Sequence, residues 1–390
     1  MPILPIIPVG LILIWTWLLF FRIGRYWLGR FPGSDTDADP QSAASIIIPA
    51  RNEERHLPDL LKVLTQEQAG VREILVVNDG STDRTGAVAA EAARTDTRLR
   101  VLTCPPPPAG WSGKCWAAWQ GVQAATGAWL LFCDADVLLT AGAPAHALRF
   151  AQDRELDALC LIPRMATRNF GAALLTVCMA VARALLLIPA RGRQTGLVQG
   201  AFLLIRRQTY EAAGGHAAVR HSLVEDLELG RRLQDMGAEL ESHPGRPWVS
   251  TRMYDSFGEA WEGFQKHVFA LADFSMARAT AAVLILILLV FLPFASLVAG
   301  ALWPLTGADH PAVHDYFLWC LPAVAIMYAA VLSVTVAEGM PLAAGLLVPL
   351  SYFLCAGILI RSIQGYGRGV IRWKGREYRF DRKADAGPSP

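Results

Sequence analysis

Four long runs without Asp, Glu, Lys, Arg or His constrain this chain more than any other feature. Residues 1–21 carry none, and neither do residues 279–307, 316–337 and 339–360. Each run is long enough for a helix crossing a hydrocarbon core, which takes about 20 apolar residues. They concentrate the apolar excess of a chain that is 53% hydrophobic over its 390 residues. The first run lacks a basic start and a small-residue cleavage site, and Arg22, Arg25 and Arg30 follow it. It therefore reads as an uncleaved anchor rather than a signal peptide. The positive-inside rule then places residue 33 onwards in the cytoplasm. The connector 308–315 holds no Lys or Arg, as an outer loop should. A last full crossing would export a tail carrying Arg361, Arg368, Arg372, Lys374, Arg376, Arg379, Arg382 and Lys383. Such a tail favours the anionic cytoplasmic leaflet. Residues 339–360, with Pro349 inside them, are therefore expected to be re-entrant or tilted.

The expected organisation is an anchor over 1–30, an α/β domain over 42–255 and an amphipathic helix at the membrane interface over 256–278. Membrane segments over 279–360 and a basic tail over 361–390 complete it. A formal net charge of +2 gives no reason to expect a nucleic-acid partner. Seven cysteines (104, 115, 133, 160, 178, 320 and 355) form no CxxC pair and no metal-ligand spacing with histidine. They read as reduced, buried thiols, with no zinc site.

Between the anchor and residue 278, short apolar runs at 45–48, 74–77, 99–102, 129–133 and 158–162 alternate with longer, helix-like stretches. Alternation of this kind predicts βαβ units and a mostly parallel sheet covered on both faces. Polar turn clusters follow three of these runs, at 49–52, 78–81 and 134–136. In open α/β sheets ligands bind beyond the carboxyl ends of the strands, where these clusters fall. Residues 168–193, punctuated by Arg168, Arg183, Arg191 and Arg193, and residues 256–275 read as amphipathic helices suited to the interface. The alternative for both is an internal helix packed on the domain's own sheet.

Chemistry concentrates in a few carboxylates. Asp134-Ala135-Asp136 ends the apolar run 129–133, so two hard oxygen ligands project into the crevice, an arrangement suited to Mg²⁺ or Mn²⁺ together with substrate phosphates. Asp79, in Asn78-Asp79-Gly80-Ser81-Thr82-Asp83, can bond a nucleotide base or ribose, although a plain βα turn with a helix cap would use the same residues. Gly110-Trp111-Ser112-Gly113-Lys114 can turn backbone N–H groups and one cation towards phosphate. Glu225-Asp226 opens a helical stretch, where acidic residues often serve only the helix dipole. The catalytic alternative makes Asp226 the base for an acceptor hydroxyl.

In this order and at these distances, Ile46-Ile47-Ile48-Pro49-Ala50-Arg51-Asn52-Glu53, the Asn78–Asp83 cluster, Asp134-Ala135-Asp136 and Glu225-Asp226 resemble the family-2 inverting glycosyltransferases of GT-A fold, over residues 44–274. The 110–114 turn and residues 368–378 look like the membrane-bound branch that glycosylates carotenoids, with a hopanoid-associated branch also similar. The resemblance implies a cytoplasmic GT-A domain with α-helical transmembrane segments. In it Pro49, Asn52, Glu53 and Asp79 line the nucleotide pocket, Lys114 and Asp134 approach the diphosphate, and Asp134 and Asp136 hold the metal. Asp226, with Glu225, is the catalytic pair, and Gln199 and Gly200 border the acceptor. Arg191 and Arg193 are added as acceptor contacts because their charge suits an anionic head group. Processive relatives carry a QxxRW motif after the base; this chain has Trp261-Glu262-Gly263-Phe264-Gln265-Lys266-His267, which favours transfer of a single sugar.

The expected activity is metal-dependent, inverting transfer from a nucleotide-sugar to a carotenoid or other isoprenoid lipid, in a multi-pass protein of the cell membrane. Polyprenyl-phosphate or glycolipid glycosylation is the rival within the class. A non-catalytic nucleotide-sugar scaffold is the rival outside it. A transporter is disfavoured, because no apolar run contains the ionisable residue that marks a substrate pathway.

Overall fold

The computed structural model describes residues 6–18, 43–67, 69–186, 198–252, 254–272, 274–303, 311–373 and 376–379. Helix α1 (Ile6–Trp17) comes first, followed by β1 (Ala44–Ala50), α2 (Leu57–Leu64), β2 (Val71–Asn78), α3 (Thr85–Thr95), β3 (Leu99–Thr103), α4 (Gly113–Ala124) and β4 (Trp129–Cys133). Next come β5 (Val137–Leu139), α5 (Ala143–Asp153), β6 (Ala158–Ile162), β7 (Arg164–Met165), α6 (Phe170–Leu186) and β8 (Phe202–Arg206). The domain closes with α7 (Glu225–Asp235), β9 (Leu240–Pro244), β10 (Val249–Thr251) and α8 (Phe257–Leu271). Three helices follow, α9 (Met276–Leu302), α10 (Pro311–Glu338) and α11 (Val348–Arg368), and then a hairpin of β11 (Val370–Trp373) and β12 (Arg376–Arg379). The basic residues of the tail beyond 379, and Arg22, Arg25 and Arg30, lie outside the described residues.

Seven strands form one sheet in the order β3-β2-β1-β4-β8-β6-β9. The expected parallel βαβ core is present: β1 pairs in parallel with β2 and β4, with Ile46 opposite both Ile74 and Leu131. One strand departs from it. β8 runs antiparallel between β4 and β6, with Leu204 opposite Leu131 and Leu159. Because side chains alternate across a strand, Ile46 and Ile48 face one way, with Leu57, Leu61 and Leu64 of α2, and Ile47 faces the other, with Ala117 and Val122 of α4. All three isoleucines are fully buried, and each such side chain contributes roughly 1.5–3 kcal/mol of burial.

The Ile47 face continues without a break into the membrane-type helices: its core includes Val177 of α6, Val290 of α9, Met327 and Val331 of α10 and Tyr352 of α11. Three stretches, Met276–Leu302, Leu318–Glu338 and Val348–Arg368, are long and apolar enough to cross a membrane. Residues 339–360 hold a short helical turn, Leu342–Leu346, and most of α11. Pro349 begins α11 in its first turn, where the missing N–H is no loss. α11 then packs side-on against α6 and α8 through Ile358, Leu175 and Phe264. Helices α6 and α8 bury one face on these neighbours and leave Phe170, Phe257 and Leu271 exposed at their ends.

α4 presses directly on the sheet. A Cβ on Gly121 would stand 2.5 Å from Cγ2 of Ile47 and 3.2 Å from Cγ2 of Val77. Overpacking of this kind costs about 1–3 kcal/mol, against a helix-propensity gain of about 1 kcal/mol for Ala over Gly. Gly121→Ala is therefore expected to lower the thermal midpoint of the detergent-solubilised protein. A raised midpoint would show that α4 can lift away from β1 and β2.

Candidate active site

The carboxyl ends of β1, β2 and β4 open onto one cavity of about 220 Å³. Of the residues expected there, Pro49, Glu53, Asp79, Lys114, Asp134, Asp136, Gln199, Gly200, Glu225 and Asp226 all line it. The strand-end logic explains why: β1 delivers Pro49, β2 delivers Asp79, and β4 delivers Asp134 and Asp136. Lys114 comes from the first turn of α4, whose N-cap Ser112 accepts a hydrogen bond from the Cys115 N–H. Glu225 and Asp226 open α7. Asn52 lies beside the cavity with its side chain exposed; Oδ1 accepts from the Thr82 N–H at 2.9 Å, and its backbone is left-handed at φ 54°. It fastens the β1 turn to the β2 turn. Arg191 and Arg193 lie outside the described residues.

Three charges interlock at the floor. Lys114 Nζ lies 2.7 Å from Asp134 Oδ1 and 2.9 Å from Glu225 Oε1. Burial opposes the ammonium, yet the carboxylates of Asp134, Glu225 and Asp226 outweigh it and hold Lys114 well above the ordinary lysine range. Burial likewise pushes the Glu225 carboxyl up, but Lys114 and Lys266 bring it down to about 2. Asp226 moves the other way: burial and the neighbouring Glu225 charge raise it above the ordinary aspartate range. Its Oδ2 accepts from the Gly200 N–H at 2.8 Å and its Oδ1 from the Leu227 N–H at 2.9 Å. Gly200 permits this approach, since a Cβ there would lie 3.3 Å from Lys114 Nζ and 3.4 Å from Asp226 Cβ.

The far wall was not foreseen as a site. Tyr254, Phe264, Lys266 and His267 line the same cavity, with Lys266 only 5% exposed. Burial, reinforced by Lys114, lowers Lys266, and burial with Lys266 lowers His267 to about 3. The three consecutive polar residues Gln265, Lys266 and His267 after Phe264, which interrupt the apolar stripe of α8, were the available signal. Met165, Met179, Ala182, Arg183 and Val198 complete this side, so the cavity is carboxylate-rich at the sheet edge and largely apolar towards α6 and α8. His56 ties the two ends together, with Nδ1 3.1 Å from Glu53 Oε2 and Nε2 3.5 Å from Asp255 Oδ2.

Among the described residues no group of three or more His, Cys, Asp or Glu side chains could hold a metal ion. The Asp134 and Asp136 pair therefore suits only an ion that completes its shell with substrate phosphates and water, as Mg²⁺ and Mn²⁺ do. Lys114 already neutralises part of that pair. Removing one partner of a buried ion pair typically costs about 3–5 kcal/mol. With a quarter of Lys114 exposed, Lys114→Met is expected to lose about 3 kcal/mol, at the low end of that range, read as a depressed melting temperature without nucleotide. Unchanged melting would show that Glu225 does not depend on it.

The chain is 30% identical over 249 residues to a 4,4'-diaponeurosporenoate glycosyltransferase of Staphylococcus aureus (strain MRSA252), covering 62% of this chain and 65% of that protein. It is 31% identical over 232 residues to the protein of the same name from strain USA300, covering 58% and 60%. The chain thus spans just under two thirds of the length of these relatives. In structure it is similar to a mannosyltransferase from Pyrobaculum calidifontis, solved with GDP-Man and Mn²⁺, at a TM-score of 0.53 and 19% identity over 93% of this chain and 98% of that one. That likeness shows the fold, a mostly parallel mixed sheet of GT-A type. The sequence itself matches the family described as Glycosyl transferase family 2 over residues 45–223.

Proposed function

We propose that this protein transfers one sugar from a nucleotide-sugar to an apolar lipid acceptor, with inversion, at the cytoplasmic membrane face. The two-ended cavity carries the reading: a carboxylate cluster at the sheet edge, and a mostly apolar wall, holding Arg183, Lys266 and His267, where α6 and α8 meet the membrane-type helices. Asp79 bonds the nucleoside, with Pro49 and Glu53 beside it. Lys114 meets the diphosphate. A divalent ion held by Asp134 and Asp136 would supply electrostatic stabilisation of the departing diphosphate. The acceptor oxygen bonds to the anomeric carbon from the Asp226 side. The bond from that carbon to the phosphate oxygen breaks, the nucleoside diphosphate leaves, and the hydroxyl proton passes to Asp226. Gln199 and Gly200 border the acceptor.

The S. aureus relatives are named for a carotenoid carboxylate, and a carotenoid or similar isoprenoid lipid is the acceptor class proposed here. A carboxylate acceptor is already a nucleophile, whereas a hydroxyl needs a base, and one variant separates them. For a hydroxyl, Asp226→Asn is expected to cut transfer about a hundredfold or more while nucleotide-sugar binding survives. Normal turnover would remove Asp226 from the role of base.

For membrane topology we place α9 and α10 across the bilayer and α11 along the catalytic domain, which keeps the basic tail on the cytoplasmic side. Ser362 Oγ donates to the Gln265 carbonyl at 2.5 Å, and Tyr366 Oη donates to the Lys266 carbonyl at 2.8 Å, so the end of α11 is bonded to α8.

The deciding assay offers labelled UDP- and GDP-sugars with membrane lipid extract, in Mn²⁺ and in chelator. Label entering an apolar lipid only with metal is expected; no label from any donor by a protein that binds nucleotide would overturn the proposal. Because Asp226 titrates above an ordinary aspartate, its base form is lost as pH falls through that raised value. The kcat/KM profile for a hydroxyl acceptor should show an acid limb there, abolished in Asp226→Asn.

A further inference from the structure

α10 runs apolar from residue 316 to residue 337 and then ends on a carboxylate that leaves the helix bundle and enters the catalytic domain. Glu338 has no exposed surface, and its partner Arg183 of α6 is 5% exposed. Charges at this depth persist only when paired and hydrogen-bonded, and here the bonding closes a ring. Arg183 Nη2 lies 2.8 Å from Glu338 Oε1, Arg183 Nη1 donates to the Pro163 carbonyl at 2.8 Å, and the Met165 N–H donates to Glu338 Oε2 at 2.5 Å. The neighbouring residues are held too. Arg246 Nη1 donates to the Ala337 carbonyl at 3.2 Å. At Gly339, with φ +70°, a Cβ would lie 2.6 Å from Arg164 Nη2. Three arginines from three parts of the domain thus converge on the carboxyl end of one helix, the end that favours cations.

The ring matters because Pro163, Met165 and Arg183 are themselves wall of the cavity, on the side where Met179 and Ala182 also lie. The nucleotide-side residues Pro49 and Asp79 come from β1 and β2, at the other end of the sheet from β6. Resting on the lipid-transfer reading above, we infer that Glu338 is a positioning residue for the acceptor: through Arg183 and the Met165 N–H, the membrane-type helix α10 sets the acceptor-side wall. It makes no contact with the reacting atoms, so its loss should appear in acceptor binding and leave the donor side intact.

The test is steady-state transfer by the full chain in lipid nanodiscs, with the acceptor lipid identified by the labelling assay and the donor varied separately. Glu338→Gln keeps the shape and removes the charge. It is expected to raise the acceptor KM about tenfold, with the donor KM and the directly measured nucleotide-sugar Kd within about twofold of wild type. Glu338→Asp, which keeps the charge on a shorter stem, should fall between the two, and it decides the matter if Gln at 338 yields protein that does not bind donor. An unchanged acceptor KM, or an equal rise in both KM values, would overturn the inference while leaving the lipid-transfer reading in place. Wild-type protein that binds donor but labels no lipid would overturn both.

Discussion

At the centre of the cavity one ammonium group, Lys114 Nζ, lies 2.7 Å from one carboxylate and 2.9 Å from another, and the three residues arrive on α4, β4 and α7. Opposed charges brought out of water in this way are stable only together. Their mutual attraction therefore fixes the N-terminus of one helix, the end of the central strand and the start of a second helix relative to each other. The same knot sets the two neighbouring carboxylates apart. Glu225 is driven strongly acidic by its two lysine neighbours, while Asp226, burdened by burial and by Glu225, is raised. Adjacent carboxyl groups whose environments push them in opposite directions are a familiar way to divide electrostatic and proton-accepting work.

How much of this was legible in the sequence depended on distance along the chain. Asp134 and Asp136 could be read because a run of five buried residues leads straight to them, and a parallel strand delivers its next residues to the ligand edge. Asp79 and Pro49 were legible for the same reason. The fastening role of Asn52 was not legible, because its bond to Thr82 spans two turns whose proximity only the sheet creates. The reversal of β8 had no local signature: a short apolar strand reads alike in either direction. Lys266 and His267 come from a segment that reads as an amphipathic helix on the domain's margin, and Tyr254 from the loop just before it. Nothing short of the packing of α8 on α6 and α11 places them opposite Asp226.

The apolar runs were legible as helices but not as structural partners of the domain. Composition marks residues 316–337 as a span; it does not reveal that the next residue is bound into the wall of the cavity. Nor does it show that the buried face of the sheet around Ile47 and Val77 continues into Val290, Met327 and Tyr352. A GT-A sheet and a helix bundle that share one core are a single unit mechanically, which explains why α6 and α8 have one well-packed face each and carry large apolar residues at their ends.

The bonds from Ser362 and Tyr366 to the α8 carbonyls have a consequence for how the protein is made. Residues 265 and 266 emerge from the ribosome roughly a hundred residues before the side chains that hold them. The strands β1 to β4 can pair as soon as they are synthesised. The wall opposite Asp226, by contrast, takes its final form only after the last apolar helix has been translated and placed. Biogenesis thus orders the two halves of the cavity in time, the sheet edge first and the α8 wall last. A chain stalled or cut before residue 362 would carry the carboxylate-rich end without the bonds that fasten the wall opposite it.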